Sequence, residues 1–153
     1  YCAGDKDIGA RFEAIRVEVL RQTRDPVKLK NDVLEMRKKL HDAHPNRTDL
    51  FDLKHDNGGM IDIEFIVQFL VLRDSAQHAK LTGDIGNIAL LKLCGELGLI
   101  DLELSGKVAD AYRTFRKMQH QIRLQGAERA RVETERVAVE IAAVEALWGA
   151  VFG

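Results

Sequence analysis

The chain has 153 residues, 46% of them apolar and 31% charged, with a formal charge of -1 at pH 7. That length suits one domain able to bury a core without disulfides, and the balance is that of a soluble globular protein. A net charge so near zero excludes a strong overall field drawing the chain to nucleic acid or to a membrane surface.

Pro26 and Pro45 are the only prolines, so long uninterrupted helices are expected. The first begins before them. Ile8, Phe12, Ile15, Val19 and Leu20 recur at helical spacing between charges, which predicts an amphipathic helix over Asp7 to Arg24. The mixture of Asp5, Lys6, Asp7, Arg11 and Glu13 there leaves no apolar region of a signal peptide. Asp25 followed by Pro26 is a strong start signal for a second helix. Leu29, Val33, Met36 and Leu40 carry it to about Ala43, and Pro45 and Asn46 end it.

A polar loop then runs from Asn46 to Gly59 around the short run Phe51 to Lys54, which can be extended. Gly58 and Gly59 break the chain before Met60 to Arg73, where apolar residues lie nearly all the way round a helix. Such a helix is the central, most buried one. That stretch is too short to span a bilayer and holds Asp62 and Glu64. A further helix is expected over Asn87 to Leu97, stopped by Gly98. Ser105 is placed to cap the next, which runs to about Leu124 with the stripe Val108, Ala111, Tyr112, Phe115, Gln119 and Ile122. Thr134 is placed to cap the last, in which Val137, Ile141, Val144, Trp148 and Val151 form a heptad-like seam. The expected fold is all-α: a bundle of about six helices joined by short loops, occupying residues 1–153 as a single helical domain.

Two stretches carry chemistry. In the first, two glycines meet a helix whose first turn holds a carboxylate. A glycine-led helix start offers free N–H groups and a positive dipole end, able to hold a phosphate. Asp62 at the third helical position has two readings. It can cap its own helix, or, lying beside Phe65, Ile66 and Phe69, it can be partly desolvated and require a cationic or N–H partner. Glu64 points about 200° away around the helix. The Asp62-Ile63-Glu64 triplet therefore makes a poor two-carboxylate magnesium site, which needs both groups on one side of the backbone.

The second stretch is basic. Arg113, Arg116, Lys117, His120 and Arg123 form one stripe on the helix that ends near Leu124. It reads as a solvated face, as a surface for phosphates or an acidic partner, or as a source of an internal partner, with Arg113 or Arg116 reaching Asp62 or Glu64. His41, His44, His55, His78 and His120 show no zinc spacing and no nucleophile arrangement. Cys2 and Cys94 stand in unlike contexts, neither a metal set nor a disulfide framework, which suits a reducing cytoplasm. No catalytic residue and no metal ligand is expected in this chain.

Taken together, Phe51 to Leu72, with the sequence FDLKHDNGGMIDIEFIVQFLVL, closely resembles the signature of the C-terminal helical domain of bacterial glutamine synthetase adenylyltransferases. Its Lys54, Gly58, Gly59, Asp62 and Ile63 are similar to a pattern in the related PII uridylyltransferases. Residues 111–125, with Tyr112, Arg113, Arg116 and His120, resemble the following helix of the same family, and residues 144–153 resemble its natural end.

The resemblance implies a C-terminal part of a large cytoplasmic, multidomain enzyme that transfers AMP from ATP to a tyrosine of glutamine synthetase and also removes it. PII and glutamine would set the balance. ATP and magnesium would be held mainly by an upstream nucleotidyltransferase domain, whose glycine-serine and D-x-D element is not found here, and this chain alone would bind no cofactor and be inactive. The start at Tyr1 rather than Met reads the same way, as a piece of a longer protein. On this resemblance Lys54, Gly58, Gly59, Asp62 and Glu64 form a corner facing nucleotide or the neighbouring domain. Lys54 would contact phosphate, Asp62 would orient a basic partner, and Arg113, Arg116 and His120 would support them. The implied partners are glutamine synthetase, PII and the upstream domain. The alternative is a docking bundle that never touches nucleotide.

Overall fold

The computed structural model describes Ala14, Ile15, Val17, Glu18 and residues 25–153 apart from Asp84 and Glu128. Among the described residues there are five helices, α1 (Pro26–Ala43), α2 (Met60–Asp74), α3 (Gly86–Glu96), α4 (Leu102–Leu124) and α5 (Ala138–Phe152). The same residues also hold two short strands, β1 (Phe51–Asp52) and β2 (Arg131–Val132), and 3-10 turns at Ala79–Thr82 and Thr134–Val137. The fold is all-α with one small sheet. The helix expected over Asp7 to Arg24 lies outside the described residues except for Ala14, Ile15, Val17 and Glu18, which are helical, so the described helices number five rather than about six.

The expected start of α1 is present in detail: Asp25 accepts a hydrogen bond from the Val27 N–H, and Pro26 occupies the first turn. Two of the later helix starts differ from expectation. Asp101, not Ser105, caps α4, accepting from the Leu104 N–H at 2.9 Å. Ser105 lies inside the helix, where its hydroxyl donates to the Leu102 carbonyl. That local bond lets a serine sit within a helix without ending it. Thr134 likewise caps nothing by its side chain. It opens a 3-10 turn that sinks Val137 into the core before α5 begins.

Helix α2 is the central element and touches all four other helices. Its Ile63, Ile66 and Leu70 are wholly buried, each contributing about 1.5–3 kcal/mol by leaving water. From α4 come Val108, Ala111, Tyr112 and Phe115 of the expected stripe, with Ile122 partly buried against them and Gln119 outside the core, and from α5 come Val144, Leu147 and Phe152. The seam predicted for the last helix is correct in direction, although Leu147 and Phe152 go deeper than Ile141 and Val151. Phe152 meets both Phe69 of α2 and Trp148, with ring centres 4.9 and 4.3 Å apart.

The extended stretch expected within Phe51 to Lys54 is limited to Phe51 and Asp52, and its partner strand carries no signal in the sequence. Phe51 pairs with Val132 and Asp52 with Arg131, antiparallel. The Leu53 N–H continues the ladder by donating to the Ala130 carbonyl at 2.9 Å. This ribbon fixes the loop before α2 against the segment after α4.

Candidate functional site

The loop before α2 is tied down by its own side chains. Asp52 Oδ1 accepts from the backbone N–H groups of Lys54 and His55, both at 3.0 Å. Asp56 Oδ2 accepts from the Asn46 side chain at 2.8 Å and from the Asp52 N–H at 2.9 Å. These carboxylates do the work of secondary structure in a segment that has almost none.

The glycine corner follows. Gly58 has φ +90°, and a Cβ there would lie 2.8 Å from the Ile141 side chain of α5. Gly59 has ordinary φ, but a Cβ on it would lie 2.7 Å from the Leu53 carbonyl oxygen. The glycines therefore let the loop press against α5 and against itself. Their N–H groups are already used: Gly59 donates to the Asp56 carbonyl, Met60 to Leu53 and Ile61 to Lys54, at 2.8–3.1 Å. Gly58 donates to Asp62 Oδ2 at 2.8 Å. The start of α2 is anion-ready in sequence, and the chain's own carbonyls and carboxylate take its Gly58, Gly59, Met60 and Ile61 N–H groups.

Asp62 thus reaches back past its helix start, as in the capping reading, and also has a cation. That cation is Arg37 of α1. Arg37 Nε and Nη2 donate to the two Asp62 oxygens, each at 2.8 Å, and Nη2 also donates to Asn57 Oδ1 at 3.0 Å. The guanidinium lies 3.8 Å from the Trp148 ring centre. A fork-to-fork pair stacked on an aromatic face is the strong form of this interaction. The pairing of Asp62 or Glu64 with Arg113 or Arg116 does not occur. Arg113 binds Asp110 one turn back at 2.9 Å, Arg116 lies over Tyr112, and Glu64 accepts from the Tyr112 hydroxyl at 3.4 Å. No motif singles out Arg37 among the charges on α1 in the sequence. Its position four residues after Val33 and three before Leu40, within the apolar stripe, is the available signal.

Magnesium does not fit Asp62 and Glu64. One carboxylate is consumed by Arg37 and Gly58, the other faces Tyr112. Among the described residues no group of three or more His, Cys, Asp or Glu side chains is arranged to hold a metal ion. Cys94 is buried, and burial pushes its thiol up to about 11, which leaves it a poor nucleophile.

Lys54 is exposed and stands between two concavities. One is an apolar groove of about 570 Å³ between α1 and α2, with Leu29, Met36, Leu40, Phe65 and Leu72 on its walls and Lys54 and Glu64 at its polar edge. The other is a polar cleft of about 330 Å³ lined by His44, Asp52, Lys54, His55, Gln119, Arg123, Arg129 and Ala130. In it the His44 and His55 rings stack 4.0 Å apart, a pairing that loop position alone does not suggest. Burial is the main cause holding the His55 imidazole below its ordinary value. Asp52 opposes that, while His44 and Lys54 reinforce it. Of the basic stripe, only Arg123 is brought beside Lys54. Arg113, Arg116 and His120 are exposed elsewhere on α4.

Residues 28–144 match the family model described as GlnD PII-uridylyltransferase. The chain belongs to that family. Over its whole length it is 55% identical to the bifunctional glutamine synthetase adenylyltransferase/adenylyl-removing enzyme of Burkholderia mallei and 57% identical to that of Ralstonia nicotianae. Over 97% of its length it is 52% identical to the Bordetella bronchiseptica enzyme of the same description. The chain spans 16% of the length of each of these curated relatives.

Proposed function

We propose that this chain is the C-terminal helical domain of an enzyme that transfers AMP from ATP to a tyrosine of glutamine synthetase and removes it again. The observation that carries the reading is identity above one half over the whole chain to enzymes of that description. The parent is then a nucleotidyltransferase of the cytoplasm that uses ATP and magnesium, answers to PII, and keeps its chemistry on a preceding domain. In this reading the helical domain presents Lys54 to the nucleotide phosphates from a rigid edge. The Asp52 and Asp56 bonds hold the Lys54 backbone, and the Arg37–Asp62 pair holds the helix behind it. Glu64 shares that edge. Positioning of this kind raises rate by fixing geometry rather than by bond chemistry.

The apolar groove beside Lys54 favours a second reading, a docking bundle that seats glutamine synthetase or PII without touching nucleotide. Met36, 58% exposed on its wall, is the kind of adaptable apolar contact such a surface uses.

Steady-state AMP transfer by the full-length enzyme carrying Lys54→Ala separates the two. The nucleotide reading expects KM for ATP to rise roughly tenfold, the worth of one charge-assisted contact, with KM for glutamine synthetase unchanged. An unchanged KM for ATP rejects it, and a raised KM for glutamine synthetase alone selects docking. The 153-residue chain by itself should transfer no AMP.

A further inference from the structure

We propose that the polar cleft between the His44–His55 stretch, the end of α4 and the Arg129–Ala130 segment binds a polyphosphate group, either a free diphosphate ion or the phosphates of a nucleotide. It rests on the reading of Lys54 as a phosphate contact and places the anion away from the glycine-led helix start, where the Gly58, Gly59, Met60 and Ile61 N–H groups are taken.

Three side chains of permanent or near-permanent positive charge converge there: Lys54 from the loop, Arg123 from the last turn of α4, and Arg129 from the segment leading into β2. They come from three separate stretches of chain, brought together by the β1–β2 ribbon. All three are exposed, and among the described residues none is paired with a carboxylate. This contrasts with Arg113, Lys107 and Lys39, each of which has an acidic neighbour on its own helix.

Among the described residues, the one acid lining the cleft is Asp52, 3.6 Å from His55 Nδ1 and already engaged by the protein's own groups. Asp52 is buried, gives Oδ1 to two backbone N–H groups, and has Arg131 Nε 3.8 Å behind its other oxygen. That Nε is itself buried without a hydrogen-bond partner, and the Arg131 charge offsets that of Asp52. Glu128, in the same segment as Arg129, lies outside the described residues. Gln119 and the imidazoles of His44 and His55 supply further hydrogen-bonding groups. A volume of about 330 Å³ exceeds what a single phosphate needs. Several like cations held close, none of them paired with an acid among the described residues, are what a multiply charged phosphate chain satisfies.

Calorimetric titration of the 153-residue chain with pyrophosphate, ATP and adenosine at about 0.15 M salt tests this. Pyrophosphate should bind saturably, adenosine should not, and Arg123→Ala with Arg129→Ala should weaken binding at least roughly tenfold. The control Lys92→Ala with Lys107→Ala removes the same charge elsewhere and should leave affinity within about twofold. The substituted side chains are all exposed, so circular dichroism should show every variant folded. Tighter binding of ATP than of pyrophosphate makes a nucleotide the source, and equal binding makes it the free ion. No saturation by about millimolar pyrophosphate overturns the proposal. So does equal weakening by the control pair, or equal binding of a phosphate-free polyglutamate peptide. If pyrophosphate binds as expected while Lys54→Ala leaves KM for ATP in AMP transfer unchanged, the cleft stands and the catalytic role of the domain falls. The opposite pair of results keeps the role and rejects the cleft.

Discussion

Arg37 and Asp62 meet at two 2.8 Å hydrogen bonds with most of both side chains out of water. Removing Asp62 strands a mostly buried guanidinium and the Gly58 N–H together. Asp62→Ala should therefore cost up to about 3–5 kcal/mol, tempered by the 21% exposure that Arg37 keeps. A double-mutant cycle by urea unfolding should give a coupling of about 0.5–3 kcal/mol between Asp62→Ala and Arg37→Ala, and additivity between Asp62→Ala and Arg116→Ala. Coupling to Arg116 instead would refute the observed pairing. His55 sets a second prediction. Its imidazole titrates lower folded than unfolded, chiefly through burial. The unfolded chain then binds more protons as pH falls through about 6.5, and stability falls with it until the folded group also protonates. Melting temperatures between about pH 7.5 and 5 should drop less steeply in His55→Gln. At this scale the sequence exposes which carboxylate needs a partner, because Asp62 sits among Phe65, Ile66 and Phe69. It does not expose the partner, which is 25 positions away on another helix, a separation that no local periodicity spans.

Elements are legible where local signals act alone. The cap and proline of α1, the all-round burial of α2 and the stripe of α4 follow from neighbouring residues. The failures share a cause. Ser105 and Thr134 are good caps in isolation, but Asp101 starts α4 earlier and the burial of Val137 draws the Thr134 segment into a 3-10 turn. Strand β2 is two residues long and exists only because β1 lies opposite. The glycine corner belongs to this scale too. Its sequence advertises an anion site, and its fold spends those N–H groups on the loop. Gly58→Ala meets both a left-handed φ and Ile141, and should cost about 1–3 kcal/mol. Gly59→Ala meets the backbone oxygens of Leu53 and Asp56, which cannot rotate aside, and should cost at least as much by overpacking. Thermal unfolding of the two variants checks the order. A neutral Gly59→Ala would mean that the loop is looser than these distances allow.

Across the whole molecule, the polar contacts of greatest consequence join distant stretches. The cleft draws on three of them, the central salt link on α1, the loop, α2 and α5. This explains why the candidate residues are half legible. Lys54, Gly58, Gly59, Asp62 and Glu64 lie close together in the chain and announce themselves, and Arg123 shows in the basic stripe, whereas Arg37 and Arg129 acquire meaning only from the packing of helices around α2. The overall architecture is easier to read than the site, since helix burial repeats along the chain and a site is assembled once.

The Gly58 amide has a consequence for how the protein opens. It donates to Asp62 beneath Arg37, and Arg37 is covered by Trp148. To release that proton to solvent, α1, the central helix and the last must part in one event. Deuterium should therefore replace it only through global unfolding, and its exchange free energy, followed by NMR, should equal that from urea denaturation. A much faster exchange would show that the corner breathes on its own.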